Sequence, residues 1–227
     1  MPGSLLASSQ AQLSDGGDPH HSFGPDLCLT INSGKTAARA AYVNAGVRIL
    51  KVKNLTGSGI RWDEEFYVTE IFYQKAPKAH VQEDDILMLC SAHNKMYIGR
   101  CDIVKGLAEN IPDGRCAAVG EIIIIRADEQ KILPDYLLTY LRLPVVQAEI
   151  SRMVKGQSAH LYSRDLRHLR VAVPSPEKQR VIAQFALDAQ ADYRQRITEA
   201  TMRLDMARAQ VETMIHGLED QPVRRSK

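Results

Sequence analysis

The chain has 227 residues, 44% apolar and 25% charged, with 29 Lys and Arg against 27 Asp and Glu. That is the profile of a globular protein with room for one domain and an appendage or two small domains; it excludes mini-protein, disordered and membrane-spanning classes, since the run Ile122–Ile125 is far short of the ~20 residues a bilayer span needs. A net charge of +2 excludes the strong uniform field of a nonspecific nucleic-acid binder.

Residues 1–21, rich in Ser, Gly, Gln and Asp-Pro, read as a loose tail. The first nine lack the charged and apolar stretches of a secretory signal, so a cytoplasmic location is expected. Short β-type runs follow at 27–31, 47–53, 66–68, 85–90, 96–104 and 117–126, punctuated by turn signals at 57–59, 93–94 and 112–114. At Leu133-Pro134-Asp135 the pattern becomes helical. Pro134 suits the first turn of a helix over 136–141, Pro144 opens another to about Val154, and Gly156 stops it. A short segment at 163–169 precedes a last strand at 171–173.

Pro174-Ser175-Pro176 is a hard boundary, with Ser175 as candidate N-cap and Pro176 at the first helical position. Apolar or small residues then recur at Ile182, Ala186, Ala189, Tyr193, Ile197, Ala200, Leu204, Ala207, Val211 and Met214, a heptad seam with one stutter after Tyr193. Gly217 is the expected stop. A helix from Glu177 to His216 would be about 60 Å long at ~1.5 Å per residue. Its narrow, Ala-rich stripe suits a partner helix better than the side of its own domain. The expected class is therefore α+β: a mostly-β domain with a few short helices (22–174), one long coiled-coil helix (175–217) and a basic tail (218–227).

Charge is distributed unevenly. Residues 27–62 contain no acid but carry Lys35, Arg39, Arg48, Lys51, Lys53 and Arg61, and residues 150–175 carry Arg152, Lys155, Arg164, Arg167 and Arg170 against Asp165 alone. Two such segments, distant in sequence, could meet on one face toward a polyanion. Cys28, Cys90, Cys101 and Cys116 form no C-x-x-C and match no zinc spacing, so reduced, buried thiols are expected.

Catalytic readings fail on the residues. Gly34-Lys35-Thr36 resembles the end of a phosphate-binding loop, but the glycine that loop needs five positions earlier is Leu29. Ser175-Pro-Glu-Lys178 has S-x-x-K spacing without its companion motifs. There is no G-x-S-x-G, H-E-x-x-H or G-x-G-x-x-G, no Asn-Pro-Pro-Tyr-like tetrapeptide, and no histidine at ligand spacing from a cysteine or carboxylate. No catalysis, cofactor or metal is expected.

Ordered motifs carry a family resemblance. Ile31–Thr36, then Gly46–Thr56 and Gly59-Ile60, resemble the opening of the target-recognition domain of type I restriction-modification specificity subunits. Glu83–Met88 with Ile98-Gly99 and Ile103-Val104 is similar to that family's central hairpin. Leu133–Leu137, Tyr140–Arg142, Lys155–Ser158, Leu161, Leu166, Val171–Pro174, Pro176 and Gln179 resemble its C-terminal part. Together they cover about Asp26 to Gly217.

The resemblance implies a subunit that reads double-stranded DNA while partner methyltransferase and restriction subunits do the chemistry. Members usually carry two such domains and two long helices that pair antiparallel; this chain looks like half of that, which a homodimer through the helix would complete. The candidate DNA contacts on the acid-poor segments are Lys35, Lys53, Asn54, Lys155, Gln157, Ser158, His160 and Arg164, with His93, Asn94, Lys95 and Tyr97 as second choices. Two other readings stay open: a structural adaptor that no longer reads DNA, and the severed recognition end of a fused methylating nuclease.

Overall fold

The computed structural model describes residues 20–92, 94–156 and 159–219. In chain order the elements are β1 (His20–Ser22), α1 (Phe23–Leu27), β2 (Cys28–Ser33), β3 (Tyr42–Val43), β4 (Val47–Leu50), β5 (Tyr67–Val68), α2 (Glu70–Gln74), β6 (His80–Val81), β7 (Ile86–Leu89), β8 (Cys101–Ile103), α3 (Leu107–Asn110), β9 (Cys116–Ala118), β10 (Ile122–Ala127), α4 (Pro134–Leu141), α5 (Pro144–Met153), α6 (Ser163–Leu166), β11 (Arg170–Ala172) and α7 (Pro176–Glu219). This is the expected α+β class, mostly β with short helices and one long C-terminal helix.

Among the described residues, two larger sheets make the body of the domain beside a two-stranded antiparallel pair, β1-β11. One is antiparallel in the order β2-β10-β7-β8; the other runs β3-β5-β4-β9-β6, with β4 and β9 parallel. Residues of β7 and β10 alternate between two cores. Ile86, Met88, Ile123 and Ile125 face the core capped by α1, α4, α5 and α6, whereas Leu87, Leu89, Ile122 and Ile124 face the core beneath the second sheet. A strand buried on both faces has no polar side to alternate with, which is why 122–125 is all isoleucine.

The single strand expected over 117–126 is two strands in different sheets, β9 and β10, joined through Val119-Gly120-Glu121. Both halves are apolar and only Gly120-Glu121 separates them, a break that a bulge within one strand would also produce. The run at 47–53 ends as a strand at Leu50 and continues as a 3-10 turn, Val52–Asn54; the run at 96–104 keeps only Cys101–Ile103, preceded by a 3-10 turn at Lys95–Tyr97. In each case an asparagine side chain turns the backbone. His20 and His21, assigned to the tail, pair with Ala172 and Val171; residues 1–19 and 220–227 lie outside the described residues.

The long helix is seated at its base by two glutamines. Gln179 is buried; its Oε1 accepts from the Leu133 N–H at 2.8 Å and its Nε2 donates to the Pro174 carbonyl at 2.9 Å. Gln190 Oε1 accepts from Arg142 Nη1 at 3.3 Å. Ala183 is buried on the same side and Ala186 half-buried, so Ala186 faces the domain rather than only an outside partner. From Ala191 to His216 every residue is exposed. The helix runs through Gly217 to Glu219, because a glycine costs a helix only about 1 kcal/mol relative to alanine and does not compel a stop.

Cys90, Cys101 and Cys116 are buried and Cys28 half-buried; none is in a disulfide, and burial pushes all four thiols up to about 12, which makes them poor nucleophiles. Among the described residues, no helix is long and apolar enough to cross a membrane.

Candidate nucleic-acid interface

One end of the two sheets gathers the acid-poor segments, and a chain of backbone hydrogen bonds holds it together. Val119 N–H donates to the Leu50 carbonyl at 3.0 Å, Lys35 N–H to Ala118 at 3.0 Å and Gly34 N–H to Ile122 at 2.8 Å. Cys90 N–H then donates to Glu121 at 2.9 Å, and Leu161 N–H to Cys90 at 2.9 Å. The ends of β2, β4 and β7, the β9–β10 crossing and the segment at 155–162 therefore lie side by side. Gly34 makes the close approach possible: a Cβ there would sit 2.1 Å from the Val119 carbonyl oxygen and 2.4 Å from that of Ala118.

Lys35 and Lys53 are exposed at this end. Lys155 is exposed too, with its Nζ 2.8 Å from Asp165 Oδ2, an ion pair that holds the Asp165 carboxyl below its ordinary range. Lys155 and His160 exchange both backbone hydrogen bonds at 2.9 Å, closing the loop between them. His160 starts a ladder: its ring centroid is 4.6 Å from that of Tyr162, over which the Arg164 guanidinium sits at 5.0 Å. Gln157 and Ser158 lie outside the described residues.

Asn54 is corrected. It is completely buried, its Oδ1 accepting from the Lys51 N–H at 2.8 Å and its Nδ2 donating to the carbonyls of Arg61 and Glu64 at 2.8 and 2.7 Å. It ties the loop's two arms together and has no atom left for a base. Asn54→Ala would leave one donor and two acceptors unpaired at ~1–3 kcal/mol each; we expect a fall of at least about 2 kcal/mol in unfolding free energy, read from the urea midpoint. Arg48 also leaves the basic set: it is buried, pairs with Glu65 at 2.7 Å and donates to the Trp62 carbonyl.

Among the second choices, Asn94 is a cap, its Oδ1 accepting from the Met96 N–H at 3.0 Å. Lys95 and Tyr97 are exposed, the latter 5.8 Å beneath the Arg100 guanidinium. His93 lies outside the described residues. The sequence reading passed over Lys51, whose Nζ sits 4.0 Å from the Tyr42 ring and 4.3 Å from that of Phe66, and Tyr162, for which the available signal was its place two residues from both His160 and Arg164.

Acids mark the opposite end. Glu83 and Asp84 precede β7, and Asp128 and Glu129 follow β10, with Lys105 bridging Asp84 and Asp135. At the basic end Glu121 is exposed, Asp165 is paired with Lys155, and the Asp63–Glu65 run returns beside Lys53, with the Glu64 carbonyl on Asn54 and the Glu65 carboxylate on Arg48. The domain thus carries exposed Lys35, Lys53 and Lys155 with the tilted His160–Tyr162 pair toward one end and a cluster of carboxylates at the other, an uneven field that can orient a polyanion. Among the described residues no group of three His, Cys, Asp or Glu is placed to hold a metal ion.

No protein-family model matches the chain. By sequence it is 26% identical over 166 residues to a protein provisionally assigned as the type I restriction enzyme MjaX specificity subunit of Methanocaldococcus jannaschii, covering 72% of this chain and 37% of that one. It is 24% identical over 160 residues to the type I restriction enzyme MjaVIII specificity subunit of the same organism, covering 69% and 36%. By structure it resembles a chain from a study of type I R-M system assembly and conformational transition, with a TM-score of 0.56 and 17% identity over 92% of this chain and 46% of that one. The HsdS subunit from Thermoanaerobacter tengcongensis matches at a TM-score of 0.56 and 16% identity, over 84% and 42%. The chain thus spans less than half the length of each.

Proposed function

We propose that this chain, kin in sequence and fold to the type I restriction specificity subunits, reads double-stranded DNA and performs no catalysis itself. The observation that carries the reading is the backbone ladder that brings the segments of Lys35, Lys155, His160 and Arg164 to one end of the domain, with Lys53 three residues past the end of β4, away from the carboxylates of Glu83, Asp84, Asp128 and Glu129. Lysines and arginines there neutralise phosphates, while the His160–Tyr162–Arg164 row, with its two rings tilted against each other, offers donors and an aromatic face to bases.

The reading extends to partners. The exposed stripe of α7 pairs as a coiled coil with a second copy, placing two recognition domains at its ends over inverted half-sites. The rest of the helix surface docks a methyltransferase subunit, with a restriction subunit where the system has one. This work is cytoplasmic, where such DNA is found.

The test is fluorescence anisotropy with a duplex enriched by the protein from a random pool, titrated at several salt concentrations. The logarithm of the affinity should fall linearly with that of salt, with a slope of about −0.9 per phosphate neutralised. Lys35→Ala and Lys53→Ala should each make the slope shallower by about 1 and weaken binding about tenfold at low salt. Charge reversal at both lysines with no change in binding would sink the DNA reading and favour the adaptor.

A further inference from the structure

The connection between β7 and β8 ends in a feature that phosphate contacts do not explain. Met96, at the tip of the Lys95–Tyr97 turn, is 87% exposed. A lone exposed apolar side chain is ordinary on a protein surface. This one differs in how firmly its backbone is held and in what surrounds it.

The turn is pinned on both sides. Asn94 caps the Met96 N–H with its side chain at 3.0 Å, and its carbonyl accepts from Tyr97 at 3.1 Å. Ile98 N–H donates to Lys95 at 3.1 Å while its side chain is buried in the core. Gly99 then reverses the chain with a φ of +91°, a conformation that suits glycine, and donates to the Leu89 carbonyl at 2.8 Å. The backbone is thus committed to holding Met96 outward.

Its surroundings are those of the basic end. Lys95 and Tyr97 are exposed beside it, and Ser91, near the start of the same connection, bridges to His160. A thioether projecting among groups suited to phosphates gains nothing from phosphate or water. It gains from the apolar interior of a base stack, which it can enter because methionine is unbranched and adapts to irregular gaps.

The geometry points to Met96 as a wedge that enters a base step of the bound duplex and unstacks it, with Lys95 on the flanking phosphate. Side chains of this kind kink DNA at a cost of a few kcal/mol per opened step, and deformability of that step then contributes to sequence choice. This rests on the DNA-reading proposal above and adds a specificity element to it.

The experiment uses the full chain and the pool-enriched duplex, with 2-aminopurine placed in turn at each adenine; its fluorescence rises when a base is unstacked. Wild-type protein should raise the signal at one step of each half-site. Because the Met96 side chain is almost fully exposed, Met96→Ala should keep the wild-type Tm, bind about tenfold more weakly with an unchanged salt slope, and abolish the rise. Met96→Phe should retain it. If the wild-type protein binds but no position brightens, or if Met96→Ala brightens equally, the wedge is overturned and DNA reading stands. If the wild-type protein enriches no duplex, the DNA-reading proposal fails and the wedge with it.

Discussion

For the homodimer proposed above, glutamate at both Ile197 and Leu204 is expected to halve the mass of the particle in solution, from twice 25.3 kDa to 25.3 kDa by light scattering. Beyond Gln190, α7 leaves its domain, and 26 residues (191–216) extend for about 40 Å at ~1.5 Å per residue with no side chain covered. Tyr193, Ile197, Leu204, Val211 and Met214 are each half or more exposed. Their 4-3 spacing puts them, with Ala189, Ala200 and Ala207, on one side of the helix. Covering each large side chain gains about 1.5–3 kcal/mol, and covering the stripe stabilises the helix as well as the dimer.

Two carboxylates per chain would place four charges in a dry seam, where unpaired charges are strongly unfavourable. The variant should therefore lose far-UV helix signal as well as mass. Met202 lies on the far side of the helix, so Met202→Glu should leave the dimer intact. Wild-type mass should not depend on salt, because the seam is apolar. A wild-type monomer would instead send the stripe to another protein.

The second large effect is expected at Asp102. Its buried carboxylate accepts from the N–H groups of Gly57 and Gly59 at 2.7 and 2.9 Å and from Arg142 Nη2 at 2.7 Å, while Arg142 also reaches Gln190 on α7. One side chain thus ties the Gly57–Gly59 turn, β8, α4 and the base of the long helix together. Asp102→Ala leaves two N–H groups unpaired and the largely buried Arg142 guanidinium without its charge partner, held only by the Cys101 carbonyl and Gln190, and breaking such a pair costs about 3–5 kcal/mol. Against a typical total of ~5–15 kcal/mol, urea unfolding should show a midpoint shift large enough to put the variant near its folding limit. In the cycle with Arg142→Ala, the double variant should be less destabilised than the sum of the singles.

The same group gives a pH signature. Burial pushes the Asp102 carboxyl above its ordinary value, more strongly than the glycine N–H groups and Arg142 pull it down. The native state then holds the proton more tightly than the unfolded state. Stability contributed at this site falls as pH rises between the two values, and the alanine variant should lack that slope.

Much of this was legible in the sequence because it depends on neighbours in the chain. The helices α4 and α5 begin at Pro134 and Pro144, as their prolines indicate. The period of the C-terminal segment identified one long helix and the side on which its apolar residues lie. The motif order pointed to the specificity-subunit fold. The acid-free segment 27–62 is divided by the fold: Lys35 and Lys53 stay exposed, Arg48 is buried, and Gly57–Trp62 packs against Asp102 and the Lys105 carbonyl.

What was not legible depends on contacts across the chain. Lys53 and Asn54 are adjacent and both polar, yet one is exposed and the other is a buried tie, because only the return of Arg61 and Glu64 supplies the carbonyls that Asn54 satisfies. Arg48 looked like a surface cation until Glu65 and the Trp62 carbonyl folded over it. The β9–β10 crossing is marked in the sequence only by Gly120-Glu121 between two apolar runs, which a bulge in a single strand would also show, and the exposure of Met96 is a property of its surroundings rather than of residue type.

Composition, periodicity and motif order by themselves determined that this is an α+β chain with a mostly-β domain and a long, one-sided helix, since each reflects local spacing and the requirement to bury apolar side chains. Only the tertiary structure decided which cations share a face, which polar groups are already satisfied and which part of the helix is left uncovered. Those depend on strands far apart in sequence meeting at one sheet end, where backbone hydrogen bonds from Leu50 through Val119, Lys35 and Cys90 to Leu161 establish the neighbours.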